Sequence, residues 1–555
     1  MPRGYVSFIL HAHLPFIRHP EEEGYLEERW LYEGITECYL PILAVLERLD
    51  RDRVPGRLTI STSPPLLEML SDDLLQRRYR RHLEKTIELA NKEVRRTAGD
   101  ERVNRLARMY RDILESARRD YSEKYGGDLV GAFAGYQNGG RLEVITCGAT
   151  HGFLPLLGID RRAMKAQVGV AVAAYRRYFG HDPAGFWLPE CGYAPGVDEV
   201  LADHGLKYFV LEGHGLLHAA PRPRYGLFAP VRCPAGPLAF GRDQESSKQV
   251  WSASEGYPGD YNYREYYRDI GFDLDFEYVR PYIHHRGIRV NTGLKYYRVT
   301  GPTNWKDLYD PDIARETAAR HAGNFMWNRE RQIEYLAAGM DRPPIVVAPY
   351  DAELFGHWWF EGPRWLEQLF RKAAYDQDVF ALIGPSDYLA MYPEAEQVQP
   401  VMSSWGYQGY NDYWLDGSNH WIYRHLHMAQ GRMEALSARF SGREGLAGRA
   451  LRQAARELLL AQSSDWPFIM KTGTMVDYAN KRFIAHIGRF TRLYEDLLSD
   501  RVDPKWLEIV ERADNIFPEI DPEIFAFEPS GLRLSGIAGC GLLDPRFAGA
   551  PAGTK

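Results

Sequence analysis

Short apolar runs recur along the first 400 or so residues, and stretches with helical spacing separate them. Runs of this length, bounded by glycine, proline or polar clusters, are typical of buried parallel strands. Seven such runs alternating with helices favour an α/β fold, a (β/α)7 barrel, in which functional residues follow the carboxyl ends of the strands. The predicted strands lie at 5–10, 57–62, 142–147, 185–188, 207–211, 345–348 and 379–384.

Two stretches break this alternation. Residues 73–126 are charged and carry apolar side chains at helical spacing, with Gly99 between two such faces. This pattern predicts a helical hairpin inserted in the barrel. After about residue 400 helical spacing replaces the strand signals. We therefore expect a catalytic barrel at 1–72 and 127–400, an inserted helical subdomain at 73–126, an all-helical C-terminal domain contributing aromatic residues to the cleft at 401–535, and a disordered tail at 536–555.

Composition narrows the possible partners. The chain has 555 residues, a net charge of −7 and 13% aromatic residues, so it offers no basic field for nucleic acid but many flat faces of the kind that bind sugars. Its five cysteines have no CxxC spacing, and the N-terminus lacks a signal-peptide pattern. No apolar run approaches the roughly 18 residues of a membrane helix. These features predict a cytoplasmic protein without nucleic-acid or membrane partners. They leave the oligomeric state open between a monomer and a small homo-oligomer.

Two acidic residues follow strand-like runs and have aromatic neighbours. Glu190 lies in the segment 187–191 (WLPEC) and Asp351 in 349–353 (PYDAE). Glycosidic bond cleavage needs such a pair, because one carboxyl group attacks or stabilises the anomeric carbon while the other passes a proton to the leaving oxygen. A nucleophilic role for Glu190 requires nearby donors such as Arg264 or His151. Structural roles stay open, as a buried acid paired with arginine for Glu190 and as a helix cap for Asp351. Glu353 competes with Asp351, since it would point the same way along a continued strand.

Histidines follow the first and third runs. His11 and His13 lie two residues apart at a strand end, and His151 follows the third run. Such a pair can bind a metal, so a barrel metallohydrolase using His11 and His13 is one interpretation. However, neither acid lies in a ligand pattern such as HExxH. Hydrogen bonding of the imidazoles to sugar hydroxyls and plain structural packing are the other two interpretations.

The segment 403–415 combines the glycines and asparagine of a loop with five aromatic side chains. Exposed aromatic rings on a loop need a ligand or another domain to cover them. Stacking on a glucan and packing against a domain therefore remain open for each ring, including Trp405 and Trp414.

Together these clusters resemble the motifs of glycoside hydrolase family 57, and most closely those of its glucan branching enzymes. Six motifs occur in the family's order between about residues 5 and 500, which is very improbable by chance. The similar segments are 11–16 (HAHLPF), 143–146 (EVIT) with His151, 187–191 (WLPEC), 348–353 (APYDAE) with 356–359 (GHWW), 403–414, and 464–468 (SDWPF).

The resemblance implies a retaining double displacement without metal or cofactor. It implies Glu190 as the nucleophile and Asp351 as the general acid/base, with an α-1,4-glucan such as amylose or glycogen as both donor and acceptor of a chain rejoined through an α-1,6 linkage. The residues that it implies as substrate contacts are His11, His13, Trp30, His151, Arg264, Phe272, His357, Trp405, Trp414 and Asp465.

Other functions share much of this pattern. An α-amylase or a 4-α-glucanotransferase would use the same carboxyl pair, and a non-catalytic glucan-binding protein would keep the cleft without turnover. Phe272 stands where branching members often carry tryptophan, which puts one stacking contact in doubt. The loop 233–247, with its glycines, is expected to close over the cleft.

Overall fold

The computed structural model describes residues 2–252 and 255–526. The predicted tail at 536–555 lies outside these described residues.

Seven parallel strands form a closed ring in the order β1-β2-β3-β4-β5-β7-β8. Strand pairing joins β1 to β2 and β8, β2 to β3, β4 to β5, and β5 to β7. Two seams, each a single parallel bridge, connect the two resulting sheets: Thr146 with Phe186 between β3 and β4, and Arg242 with Val347 between β7 and β8. This is the predicted α/β barrel. The strands are β1 (Gly4–Ala12), β2 (Leu58–Thr62), β3 (Leu142–Ile145), β4 (Gly185–Trp187), β5 (Tyr208–Leu211), β6 (Val231–Arg232), β7 (Leu238–Gly241), β8 (Ile345–Asp351) and β9 (Phe380–Leu382).

The seventh member of the ring differs from the predicted one. The run at 379–384 contains β9, which pairs with the first residues of β1 rather than completing the ring. The ring strand is β7, which lies inside the segment 233–247 that was expected to close over the cleft as a loop. That expectation is wrong, because the segment forms β7 in the barrel wall and the start of the helix Gln244–Trp251. With only four residues after Pro237, β7 has the appearance of a turn in the sequence.

Helices cover the outside of the barrel and build the insertion. Asp72 and Asp100 cap the two long hairpin helices, Asp73–Arg96 and Glu101–Arg119, by accepting hydrogen bonds from Leu75 N and Val103 N. The helices of this part of the chain are Glu28–Glu33, Leu40–Arg51, Pro64–Leu70, Asp73–Arg96, Glu101–Arg119, Leu129–Asn138, Leu154–Leu157, Arg161–Phe179, Val197–Asp203, Gly213–Leu217, Gln244–Trp251, Ile270–Asp273, Phe276–Val279, Pro311–Gly339, Gly362–Tyr375 and Pro385–Met391, with π-helical turns at Gly34–Tyr39 and Asp120–Lys124.

Beyond residue 400 the described chain is helical. Its helices are Trp421–Phe440, Gly445–Ala461, Asp465–Thr472, Val476–Ser499 and Pro504–Ala513. Phe483 and Phe490 are buried on one face of Val476–Ser499, as their spacing predicts. The helix Asp465–Thr472 begins directly beside the barrel, since Ser464 N donates to the carbonyl of His151.

Across residues 2–252 and 255–526, no helix has both the length and the apolar character required to cross a bilayer.

Candidate active site

Alternation along the strands points functional side chains into the barrel. On β1, Phe8 packs outward against the helical layer, whereas Ile9 packs in the barrel interior. The same parity places His11 on the interior face at the carboxyl end. On β8, Val347 is interior, so Asp351 faces the same space four residues later, and the register sets it beside His11.

The other acid lies on a strained turn after β4. The turn Pro189–Cys191 holds Glu190 at φ 62° and Cys191 at φ 51°. The left-handed region is costly for residues with a Cβ, and such conformations cluster at functional sites. The turn directs the Glu190 carboxylate back over the end of the barrel, where Trp187 from the same strand stacks on His11 with ring centres 4.7 Å apart.

Two donors from the C-terminal half of the chain hold the Glu190 carboxylate. Trp405 Nε1 donates to Oε2 at 2.7 Å, and Ser464 Oγ donates to Oε1 at 2.8 Å. Burial raises the pKa of Glu190 to about 7, although both hydrogen bonds act in the opposite direction. Of the two donors expected from the sequence, Arg264 and His151, the second lies near the carboxylate, with its Nδ1 3.6 Å from Oε1. Sequence reasoning missed Ser464, because nothing in the sequence shows a contact between residues 274 positions apart.

Three histidines form a stacked cluster beside Glu190. His11 Nε2 lies 2.9 Å from His151 Nε2, and the rings of His13 and His151 are 3.9 Å apart. Burial lowers the pKa of His11 and His151, which keeps both imidazoles neutral. Burial also opposes protonation of His13, but Asp465, 3.2 Å from its Nε2, outweighs this and raises the pKa of His13. The cluster thus places neutral donors and acceptors and one cation next to the carboxylate.

The Asp351 carboxyl group has different surroundings from Glu190. Within the described residues its side chain has no hydrogen-bond partner. Burial raises its pKa well above the ordinary range, and the charges of Glu353 and Glu190 raise it further. Glu353, its competitor in the sequence, instead accepts a hydrogen bond from Tyr39 Oη at 2.6 Å. Of the two, only Glu353 has a hydrogen-bond partner among the described residues.

Two sets of three side chains that include these histidines have a spacing that could suit a metal ion. His11, Cys147 and His151 form one triad and His13, His151 and Asp465 another, each with ligand atoms within 4.8 Å of one another. The nitrogens of these imidazoles already bond to each other, to Asp465 and to nearby serines. A metal would have to replace these bonds, so the donor set fits a hydrogen-bonding role better.

Some predicted substrate contacts lie outside this cluster. Arg264 Nη2 donates to the carbonyl of His357 at 3.2 Å, and its guanidinium lies over the ring of Phe360. It is therefore not the donor to Glu190 that was expected. His357 Nδ1 lies 2.7 Å from a Glu37 oxygen, a partner that sequence reasoning also missed. Phe272 is 50% exposed on the short helix Ile270–Asp273.

Trp30 and Trp414 were also predicted to line the glucan path, but their surroundings differ from those of Trp405. Trp30 is half-buried and meets the ring of Tyr478 edge to face. Trp414 is only 1% exposed and stacks on Phe153 with ring centres 4.7 Å apart. A ring covered in this way cannot stack on a sugar, so the prediction that Trp414 lines the path is wrong. The loop packs it into the interior because Phe153 and Phe468 offer aromatic surface there.

Trp414→Ala is accordingly expected to act on stability. Removal of a fully buried tryptophan leaves a cavity and should lower the free energy of unfolding by about 3–5 kcal/mol. Denaturant unfolding would measure the loss, with Trp358→Ala as the control because Trp358 is 51% exposed. Unchanged stability together with an altered product chain length would instead restore Trp414 as a substrate contact.

The barrel holds two buried carboxyl groups, one with hydrogen-bond donors and one without a partner among the described residues, beside aromatic rings and imidazoles. Enzymes that cleave glycosidic bonds use this arrangement. Comparison with known sequences agrees with this class. The sequence model of Glycosyl hydrolase family 57 matches residues 7–402, and the model "1,4-alpha-glucan branching enzyme, C-terminal" matches residues 425–525. The chain belongs to glycosyl hydrolase family 57.

Related proteins are named for two different activities. A 1,4-alpha-glucan branching enzyme of Thermococcus kodakarensis is 33% identical, over 93% of this chain and 77% of that protein. Among solved structures, the alpha-amylase AmyC of Thermotoga maritima is 44% identical with a TM-score of 0.89, covering 95% of this chain and all of that one (100%). A family 57-type branching enzyme of Pyrococcus horikoshii is 32% identical with a TM-score of 0.85, covering 95% and 97%. These comparisons do not support the metallohydrolase alternative.

Proposed function

We propose that this protein cleaves α-1,4-glucans and rejoins the released chain to a 6-hydroxyl group, making α-1,6 branches. One observation carries the proposal: Glu190 and Asp351 face one space, yet only Glu190 has donors that stabilise its ionised form. Two interacting acids with such different surroundings divide into an ionised nucleophile and a protonated acid. The match of residues 425–525 to the C-terminal part of branching enzymes supports transfer rather than hydrolysis.

In this mechanism Glu190 attacks the anomeric carbon of the donor glucan while Asp351 gives its proton to the departing oxygen. A covalent glycosyl-enzyme forms, with one inversion at the anomeric carbon. Asp351, now ionised, takes the proton of an acceptor 6-hydroxyl group as that oxygen attacks the same carbon. The second inversion restores the α configuration and frees Glu190. Amylose or glycogen serves as donor and acceptor, and both proton transfers take place between Asp351 and the sugars without a cofactor.

The histidine cluster and Trp405 serve the donor sugar. Because the ring nitrogens of His11 and His151 already have partners, these two imidazoles form a buried wall of the donor site, and His151 holds Ser464, which in turn bonds to Glu190. Asp465 fixes the third imidazole, His13. Trp405 both holds Glu190 and presents its ring close to the exposed ring of Trp251, with centres 6.4 Å apart. Aromatic faces at this spacing suit the C–H surfaces of consecutive glucose units.

We also propose that the protein acts in the cytoplasm. Four cysteines, Cys38, Cys147, Cys191 and Cys233, are buried free thiols, which suits a reducing compartment.

Hydrolysis by an α-amylase is the second candidate, favoured by the 44% identity with AmyC. Incubation with amylose distinguishes the two functions. Branching gives new α-1,6 linkages, seen as added short chains after treatment with a debranching enzyme, while reducing ends before that treatment stay constant. Rising reducing ends with malto-oligosaccharide release would indicate hydrolysis, and redistributed linear chains would indicate 4-α-transfer. A chelator should leave the activity unchanged, since the proposed chemistry uses carboxyl groups alone.

Trp405→Phe is expected to shift the pH profile. The Trp405 hydrogen bond lowers the pKa of Glu190 toward its ordinary value, so its removal should raise a pKa that is already about 7. Because the nucleophile must be ionised, the acidic limb of kcat/KM should move up by about half to one pH unit. Trp251→Phe is the control, since Trp251 is 46% exposed and does not bond to Glu190. An acidic limb that stays in place in Trp405→Phe would contradict the assignment.

A further inference from the structure

A cavity of about 470 Å³ lies between the inserted hairpin and the barrel. Its walls come from both hairpin helices, from the π-helical turn Gly34–Tyr39, from the helix Leu40–Arg51 and from residues 360–364. Neither Glu190 nor Asp351 lines it. The cavity is therefore separate from the two carboxyl groups of the active site.

The lining of this cavity has a formal excess of two positive charges, since it contains five arginines and three glutamates: Arg29, Arg48, Arg264, Arg315 and Arg364, and Glu33, Glu37 and Glu361. Arg48, Arg315 and Arg364 all line it and are partly or fully exposed to solvent. Arg48 pairs with Glu367 and Arg315 with Asp312. Arg364 has no ion pair in the part of the chain that the structure describes. Burial lowers the pKa of Arg364, and the nearby charges of Arg315 and Arg48 act in the same direction, so a bound anion would offset their like charge.

The cavity also has aromatic surface and two buried polar atoms without a partner among the described residues, Arg264 Nε and Glu361 Oε2. Tyr110 and Phe360 line it together with Met109, Ile113 and Leu114. Arg264 also lines it, is 4% exposed and has an Nε atom without a hydrogen-bond partner among the described residues. A buried donor of this kind gains free energy when a ligand supplies an acceptor.

The charged side chains and the apolar walls of this cavity together favour one class of ligand. Guanidinium groups bind carboxylate and phosphate well, but adjacent arginines with net positive charge favour the doubly charged phosphate monoester, which has three terminal acceptor oxygens. The aromatic and aliphatic walls favour a planar or apolar body over a sugar. The volume is sufficient for a molecule of roughly nucleotide size.

The π-helical turn Gly34–Tyr39 connects this cavity to the active site. Thr36 and Glu37 line the cavity, whereas the next residues contact the segment that follows Asp351. Cys38 Sγ donates to the carbonyl of Ala352 at 2.8 Å, and Tyr39 Oη donates to Glu353 at 2.6 Å. Gly356 lies directly against this turn: a Cβ there would come within 1.7 Å of the Glu37 carbonyl. Such π-helical insertions are frequent at functional sites.

We propose that this cavity is a second binding site, for a small phosphate monoester with a planar body. Its phosphate contacts Arg48, Arg315 and Arg364, and its body lies against Tyr110 and Phe360. Occupation acts through the turn Gly34–Tyr39 on the position of the Asp351 segment, so the ligand changes the rate of the enzyme without entering the catalytic cleft.

Calorimetric titration of the whole protein with adenosine monophosphate, adenosine and inorganic phosphate tests the site. We expect saturable binding of the monophosphate and at least about tenfold weaker binding of adenosine, which lacks the charge-assisted contacts. Arg364→Glu should weaken monophosphate binding by about tenfold or more, and Ile113→Trp should do the same by filling the cavity while leaving the arginines intact. Arg77→Glu, on the exposed outer face of the same hairpin, is the matched control and should bind as the unmodified protein does.

The binding result does not depend on the proposed glucan activity, so the two can fail separately. Absence of saturable monophosphate binding, equal binding of adenosine, or full affinity in both Arg364→Glu and Ile113→Trp would overturn the site. Where binding holds, the monophosphate should change turnover on amylose in the unmodified protein and in Arg77→Glu but not in Ile113→Trp. If the monophosphate leaves turnover on amylose unchanged in all three proteins, the proposed effect of the cavity on the active site through the turn Gly34–Tyr39 is wrong.

Discussion

Glu190→Gln is expected to reduce turnover on amylose by at least about a thousandfold, because an amide cannot form the glycosyl-enzyme. The fold should survive the change. The amide oxygen can accept from Trp405 Nε1, and the amide nitrogen can donate to Ser464 Oγ, so both contacts of the carboxylate keep a partner. Rates on amylose and a thermal unfolding curve of the same preparation provide the measurement.

Chemical rescue supplies the control for this variant. In Glu190→Ala, azide can enter the space of the lost carboxylate and attack the anomeric carbon, which would give a glycosyl azide of inverted configuration from an activated donor. Inversion in the rescued variant and retention in the unmodified protein would identify Glu190 as the nucleophile. Turnover within about tenfold of normal in Glu190→Gln would remove it from that role. Tight amylose binding with no turnover in the unmodified protein would instead indicate a glucan-binding protein.

Asp351→Asn is expected to cause a comparable loss on amylose, of about a thousandfold, because the departing oxygen then receives no proton. An aryl maltoside with an acidic phenol needs no such proton, so its first step should be affected far less. The variant should release one equivalent of phenol rapidly and then stall as glycosyl-enzyme. Stopped-flow measurement of the phenol separates these two steps.

Glu353→Gln is the matched control for Asp351. The two acids are two residues apart, but Glu353 is engaged by Tyr39, and a glutamine can still accept that hydrogen bond. We expect a loss of at most about tenfold and no phenol burst. A burst in Glu353→Gln and none in Asp351→Asn would transfer the acid/base role to Glu353.

The pattern of apolar residues was sufficient to predict most strands of the barrel. The run at β1 is almost entirely apolar, and the run at β8 begins with three β-branched residues, Ile345, Val346 and Val347, so their burial and type follow from the sequence. β7 was missed since its four residues follow a proline and end in glycine, and neighbouring strands, not local propensity, determine its conformation. β9 was assigned to the ring because a short buried run contains no information on which partner it pairs with.

The candidate site could be predicted where chemistry and strand position coincide. His11 and Asp351 come at strand ends, and parity alone turns them into the barrel. Ser464 lay inside a motif that resembled the family, but its bond to Glu190 depends on how the C-terminal helices dock. Trp414 was assigned to the glucan path because aromatic residues in a loop have the same appearance whether a sugar or another ring covers them.

The seams of the barrel have a consequence for how the two acids meet. Glu190 follows β4 in one sheet and Asp351 ends β8 in the other, so each way round the barrel from one acid to the other crosses one of the two single bridges. Few backbone bonds hold each boundary, among them Trp187 N to Thr146 O at 2.8 Å and Asp243 N to Val347 O at 2.9 Å. Side-chain packing therefore sets this spacing more than ladder bonding does. Amide hydrogen exchange at Trp187 and Asp243 should be faster than in the centre of β1. Equal protection at these positions would show that the barrel is as stable at the two bridges as within its sheets.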